Sequence, residues 1–462
     1  MTSLAKVFKP FAHQEKFASL WGDKQRVLNF DGCGTGKTLS CVHAVKTHWP
    51  KARVLVLAPL SILECAWVKD LNLGWPEAQV GVASVSKAKK IKVFEDKDND
   101  WVITNHDTVK LISEMDYAKD FDVLIVDEGD AFRNRTTQRS KAIQKVAATI
   151  PVMTLMTGTP SPKSITDVWH LAFLIDRGQR LGRNFFDFRS QVCTPSPVFG
   201  VPNAMKWDDK PEANQMVTLA LADICSRVSL QDVQELPETI FRDILVAIPP
   251  KLRREYESLR HDAMMMLQSG QLINAVHAGA KFQKLLQTVS GAIYDERGNA
   301  HDIHKDRHEL VIDLASETDH CLVAFNWTHQ RDGLIAAAKK RGLSYAVIDG
   351  EVSAKERTDI VNRFQKGLIN VLFAHPQSAG HGLTLTKANR VIWASPTYRA
   401  DLYEQFNHRI VRTGQKRKTE IINITAEETV ETDVYAKLMT KKTRMGDLLD
   451  TFKGLFDAQE AA

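Results

Sequence analysis

Short runs of β-branched and aliphatic residues recur along the first half of the chain, each closed by a polar or Gly/Pro turn. They are Val27 to Asp31, Val54 to Pro59, Trp101 to Asn105, Val123 to Asp127 and Val152 to Thr157. Apolar runs of this length without alternation predict strands buried on both faces, as in a parallel sheet. Amphipathic stretches between them, such as Leu39 to His48 and Ser140 to Ala148, have the length of crossover helices. The same grammar resumes with His320 to Asn326, Ser344 to Asp349, Asn370 to Ala374, Arg390 to Ala394 and Glu420 to Thr425. The expected fold class is α/β, with two tandem parallel-sheet lobes over residues 1–240 and 241–462.

Between the two sets of strands the texture changes. Gln191 to Asn214 carries Pro195, Pro197, Pro202 and Pro211 and predicts a loop-rich insertion. Ile248 to Thr288 reads as helices, so a helical bridge over about 241–310 should open the second lobe. Met264, Met265 and Met266 cannot all share one helix face and read as gap-filling core.

With 44% hydrophobic and 25% charged residues in 462, the composition is globular and excludes a disordered, collagenous or disulfide-stapled chain. Six cysteines without a CxxC pair spell neither a zinc site nor a disulfide framework, and reduced thiols are expected. No run approaches the ~18 apolar residues of a membrane span, and no apolar core follows the lysines of Met1 to Lys16. A soluble cytoplasmic protein without a membrane partner is expected. A formal charge of +5 suits a polyanionic partner without demanding one. The five lysines of Ser86 to Asp100 read as a solvated helix and loop.

The chemistry begins at Asp31-Gly32-Cys33-Gly34-Thr35-Gly36-Lys37-Thr38. A glycine-rich loop between a strand and a helix aims backbone N–H groups and a helix N-terminus at an anion. Gly32, Gly34, Thr35 and Gly36 would wrap the phosphates, Lys37 would reach the β- and γ-phosphates, and Thr38 would hold Mg²⁺. Asp127 and Glu128 end a hydrophobic strand and should enter the crevice at the carboxyl edge of the sheet. There Asp127 would hold Mg²⁺ through water and Glu128 would orient and deprotonate the attacking water. Gln405, Arg409 and Arg412 are spaced four and three apart, so on a helix they share a face suited to phosphate oxygens. The amide of Gln14 has the donor and the acceptor needed to read an adenine edge.

These residues resemble the Swi/Snf-like ATPases of helicase superfamily two. That family commonly starts its phosphate loop with Asp-Glu rather than glycine, and Asp31 at the start of this loop fits that better than the generic pattern. Further matches follow in order: Ala58-Pro59-Leu60-Ser61 with Trp67, Thr104 to Val109, Asp127-Glu128-Gly129-Asp130, Leu155 to Pro160, Trp169-His170-Leu171 and Leu236-Pro237. In the second lobe they are Asp349-Gly350 with Arg357, Ser378 to Leu385, and Gln405 through Arg409, Arg412 and Gly414-Gln415. The chain departs from the family at Asp130, Pro162 and His381.

The resemblance implies two RecA-like lobes that close over Mg·ATP and ratchet along DNA. It implies Gln14 near the base, Thr157 and Thr159 in coupling, Gly382 and Gln405 lining the crevice, and Arg409 and Arg412 as arginine fingers. Contacts to DNA should be mostly to phosphate, from the turns after strands on the open face: Ser61, Thr104, Asn105 and Ser378. The expected protein is a monomeric ATP-dependent translocase acting on duplex or branched DNA, of a size like bacterial or bacteriophage members. Two alternatives stand beside it: an RNA-stimulated helicase, because Asp130 is the letter found in DEAD-box proteins, and a non-catalytic DNA-binding protein on the same fold.

Overall fold

The computed structural model describes residues 8–161, 163–197, 204–233, 235–268, 283–294, 300–379 and 383–443. Two compact units emerge. The first comprises residues up to Thr194 with Asp208–Glu235, and the second comprises Pro195–Trp207 with Leu236–Lys442. Pro162, His381 and Gly382 lie outside the described residues, as do the side chains of Met264, Met265 and Met266.

The first unit is built on a seven-stranded sheet in the order Val80–Ala83, Trp101–Asn105, Val54–Ala58, Val123–Val126, Val152–Met156, Arg26–Asn29, Cys225–Ser226. Every pairing in it is parallel. Val54–Ala58, Val123–Val126 and Val152–Met156 are buried at every position, which is why their sequence runs show no alternation. Helix Ala12–Lys24 sets Phe17 and Trp21 into the core on one face of this sheet, with Val42 and Val45 from helix Lys37–His48.

Arg26, at the start of its strand, acts as a clamp. Its guanidinium donates to the carbonyls of Ile150, Ala147, Leu174 and Ile175 at 2.6 to 3.0 Å, tying down the ends of two helices. Burial and the neighbouring Arg177 pull its pKa down to about 10.

The second unit holds a six-stranded parallel sheet in the order Thr239–Val246, Thr419–Ala426, Arg390–Trp393, Cys321–Ala324, Val371–Ala374, Tyr345–Ile348. The stretch read as a helical bridge opens instead with an edge strand, Thr239–Val246, whose Ile240, Phe241 and Leu245 are exposed. Arg242 and Asp243 interrupt its apolar run, and eight backbone pairings with Thr419–Ala426 override that local signal. Helix Pro250–Gln268 and the helical residues 283–289 agree with the helices expected in Ile248 to Thr288, of which 269–282 lie outside the described residues, while Ala292–Tyr294 pairs antiparallel with Ala300–Asp302 further along. Among the described residues no helix is long and apolar enough to cross a membrane.

One buried ion pair organises the second unit. Arg307 reaches both oxygens of Glu431 at 2.8 and 2.7 Å and also donates to the Ala394 carbonyl, while Glu431 accepts the Ala426 N–H at 2.7 Å. Both side chains are excluded from solvent, 2% and 0% exposed. Arg307→Met should therefore lower stability by about 3–5 kcal/mol, because it strands a buried carboxylate. Urea unfolding of the full chain measures it.

Candidate nucleotide site and nucleic-acid face

Three neighbouring strands of the first sheet end side by side, and each hands its carboxyl end to a polar turn. Arg26–Asn29 runs into the phosphate loop, Val123–Val126 into Asp127 and Glu128, and Val152–Met156 into Thr157-Gly158-Thr159. Segments more than a hundred residues apart in the chain thus share one edge.

The phosphate loop takes its shape from glycine. Gly34 and Gly36 have φ of 84° and 83°, a region that disfavours side chains, and Gly36 caps helix Lys37–His48. A Cβ on Gly36 would also lie 2.8 Å from the Gln14 amide nitrogen. Helix Ala12–Lys24 braces the loop from behind, with His13 Nε2 donating to the Thr35 carbonyl at 2.9 Å and Gln14 Nε2 to the Gly36 carbonyl at 3.3 Å. The Gln14 Oε1 accepts the Phe11 N–H, so both ends of the amide expected to read a base are occupied within the protein. Lys37 folds its ammonium over the loop, donating to the carbonyls of Asp31 and Gly32 at 2.9 and 3.0 Å. Thr38 occupies the second position of the helix, partly exposed.

Asp127 is buried and doubly held. Its Oδ2 accepts the Trp67 indole N–H at 2.9 Å and its Oδ1 accepts the Glu128 N–H at 2.9 Å, while His106 Nε2 donates to its carbonyl at 2.7 Å. Burial, and then the charge of Glu128, push its pKa up to about 6, against the pull of Lys37 and the Trp67 hydrogen bond. Glu128 itself stands at φ 47°, ψ 54°, a left-handed conformation that turns the chain sharply at the end of the strand. The Thr157 hydroxyl accepts the Thr159 N–H at 3.1 Å, and Gly158 lies so close to the phosphate loop that a Cβ there would sit 3.1 Å from Cys33 Sγ. The loop and the Thr-Gly-Thr turn are in direct packing contact.

In the second unit the helical-face expectation for the arginines is corrected. Helix Ala400–Asn407 carries Gln405 but ends before Arg409 and Arg412, which lie in the following turns. They still converge: Arg409 donates to the Gln405 and Leu383 carbonyls at 2.7 and 3.3 Å, and Arg412 to the Leu383 carbonyl at 2.8 Å. The turns are fixed by Gln415, whose buried amide donates to the Ala388 carbonyl at 2.8 Å. Gln405 is 2% exposed and its Oε1 has no hydrogen-bond partner among the described residues.

The four nucleic-acid candidates divide. Ser61 sits partly exposed in the turn Leu60–Ile62 beyond its strand, and Ser378 borders a cavity of about 510 Å³ with Thr328, Arg331 and His375. Asn105 ends its strand with Oδ1 accepting from Lys90 and Thr108 at 2.9 and 2.7 Å. Thr104 is a correction: it is fully buried and its hydroxyl donates to the Ala83 carbonyl at 2.6 Å, so it has no surface to offer a phosphate. Sequence reading also missed the roles of His13, Trp67 and His106 beside this site. His13 adjoins Gln14, and Trp67 and the stretch with His106 stand among the family matches, but their hydrogen bonds to the site join segments far apart in the chain.

The fold and this edge define a P-loop ATPase architecture on paired parallel sheets. The chain belongs to the SNF2-related family: the SNF2-related domain matches residues 17–290, and the helicase conserved C-terminal domain matches 306–417. It is 28% identical to putative protein p41 of Acyrthosiphon pisum secondary endosymbiont phage 1, over 97% of this chain and 99% of that one. It is 24% identical to the Homo sapiens DNA annealing helicase and endonuclease ZRANB3 over 94% of this chain. The chain spans only about two fifths of the length of that protein and of several other curated relatives. Among solved structures, the Sulfolobus solfataricus SWI2/SNF2 ATPase core in complex with dsDNA aligns over 100% of this chain and 97% of that one, at 19% identity and a TM-score of 0.43.

Trp67→Phe removes a hydrogen bond that favours the ionised Asp127 and should move its pKa further above about 6. The acid limb of the ATP turnover profile then shifts to higher pH, with a fall of about tenfold near neutrality. A pH–rate series on both proteins tests it.

Proposed function

We propose that this protein is an ATP-dependent DNA translocase that hydrolyses ATP to move along or remodel duplex or branched DNA. The observation that carries the reading is the meeting of the phosphate loop, Asp127-Glu128 and Thr157-Gly158-Thr159 at adjacent strand ends in an SNF2-related chain. The human relative named a DNA annealing helicase supports DNA as the polymer.

In this reading the loop N–H groups and the ammonium of Lys37 bind the phosphates, and Glu128 takes the proton of the attacking water. Arg409 and Arg412 supply positive charge to the γ-phosphate, with Gln405 beside them. Thr38 and Asp127 would hold Mg²⁺. The donors suit it, because both are oxygen ligands and, among the described residues, each Asp127 oxygen accepts a single N–H, in a spot where burial and Glu128 already disfavour an unbalanced negative charge. Mg²⁺ bound there would screen the phosphate charge. Gly382, in the second half, completes the proposed nucleotide set, and Gln14 joins it on the base side once its amide leaves the Phe11 N–H and the Gly36 carbonyl.

The halves read from the sequence, 1–240 and 241–462, would act as alternating grips on the DNA backbone through Ser61, Asn105 and Ser378, as a monomeric motor. Coupling runs from the loop to the Thr157 turn through the packing at Gly158 and Cys33. The resemblance of Asp130 to the DEAD-box motif gives the RNA-stimulated helicase as the second reading.

ATP hydrolysis measured with no polymer, duplex DNA, branched DNA, single strands and RNA decides between them. Stimulation by duplex or branched DNA is expected, falling at least about a hundredfold in Glu128→Gln and Arg412→Ala. Stimulation by RNA alone would favour the second reading. Stimulation should also weaken steeply as salt rises, since the contacts are to phosphate.

A further inference from the structure

The shortest strand of the first sheet, Cys225–Ser226, pairs with Arg26–Asn29, the strand that runs into the phosphate loop. It and the residues after it are stitched to the loop at four points. The Phe30 N–H donates to the Ser226 carbonyl at 2.9 Å and the Gly32 N–H to the Val228 carbonyl at 2.8 Å. The Ser226 hydroxyl donates to Asp31 Oδ1 at 2.9 Å, and Arg227 Nη1 to the Phe30 carbonyl at 2.6 Å. Backbone of Val228, Ser229 and Leu230 also fills the space over Gly32 at 3.4 to 3.6 Å from where a Cβ would be.

Within this seam Asp31 is anomalous. It is fully buried, and while Oδ1 has the Ser226 hydroxyl, Oδ2 has no hydrogen-bond partner among the described residues. The charged or titratable groups facing it are Lys37, His13 and Arg227. Lys37 already bonds the Asp31 carbonyl at 2.9 Å, so the ammonium needed for phosphate lies beside a carboxylate with an oxygen to spare. In a buried setting such a pair is strong once formed. An ammonium captured there is lost to a nucleotide.

We propose that Ser226 is a positioning residue for nucleotide binding: its hydroxyl holds the Asp31 carboxylate against the neighbouring strand and so leaves Lys37 available to the phosphates. The inference rests on the ATP-binding reading above. Without the hydroxyl, Asp31 swings to Lys37 and competes with the incoming nucleotide. The effect falls on binding more than on the chemical step, because Glu128 and Asp127 are untouched.

The test compares wild type, Ser226→Ala, Ser226→Thr and the double variant Ser226→Ala with Asp31→Asn. It reads KM for ATP, kcat, the Kd of a fluorescent ATP analogue and the thermal unfolding midpoint. Ser226→Ala should raise KM and Kd about tenfold, with kcat at saturation within about twofold of wild type. Ser226→Thr keeps the hydroxyl and should bind as wild type. The double variant should recover to within about twofold, because a neutral amide does not compete for an ammonium as a carboxylate does. A purely structural role would not give that recovery. The inference is overturned if Ser226→Ala binds like wild type, or if the double variant stays as weak as the single one. Wild-type protein that binds no nucleotide overturns the proposed function itself, and this inference with it.

Discussion

The nucleotide edge depends on the parallel ladder joining Val123–Val126, Val152–Met156 and Arg26–Asn29. Its register sets the Thr157 N–H on the Asn29 carbonyl at 3.0 Å and thereby levels the ends of these strands. A shift of one residue would exchange the side chains between the two packed faces and put the polar turns out of line. Because the strands are apolar on both faces, the register is specified by burial on two sides at once. The Arg26 clamp secures the opposite end, where four helix-terminal carbonyls would otherwise lack donors.

On that frame the site is assembled from groups with conflicting electrostatics. Asp31 and Asp127 are both buried acids whose pKa values burial raises, and both are near Lys37, which opposes the rise. The donors that keep them in place come from residues with no phosphate chemistry of their own: the Trp67 indole for Asp127 and the Ser226 hydroxyl for Asp31. A carboxylate held by a directed donor has a defined orientation, whereas one held by charge alone follows the nearest cation. The difference matters where the cation is also the ligand-binding group.

In the second unit the arginines show how the same outcome can come from a different local structure. Expected on one helical face, they lie in turns beyond Asn407, yet both reach the Leu383 carbonyl. Gln415 holds those turns through buried carbonyl contacts, which does for the loop what a helical repeat would have done.

The inner strands, the phosphate loop and the Asp127-Glu128 pair were legible in the linear chain because each is a local pattern, an apolar run and then a polar or glycine turn, whereas the short edge strands Val80–Ala83 and Cys225–Ser226 were not. The edge strand Thr239–Val246 was not, since its stability comes from backbone pairing with residues some 180 positions away rather than from its own periodicity. Burial of Thr104 was likewise invisible, because a threonine at a strand end looks the same whether its hydroxyl meets solvent or the Ala83 carbonyl. The sequence by itself determined which chemical groups exist and on which strand ends they sit. Only the tertiary structure decided which of them meet, that Trp67 and Ser226 hold the two buried acids, and where the arginines point, because those contacts join segments whose separation along the chain carries no local signal.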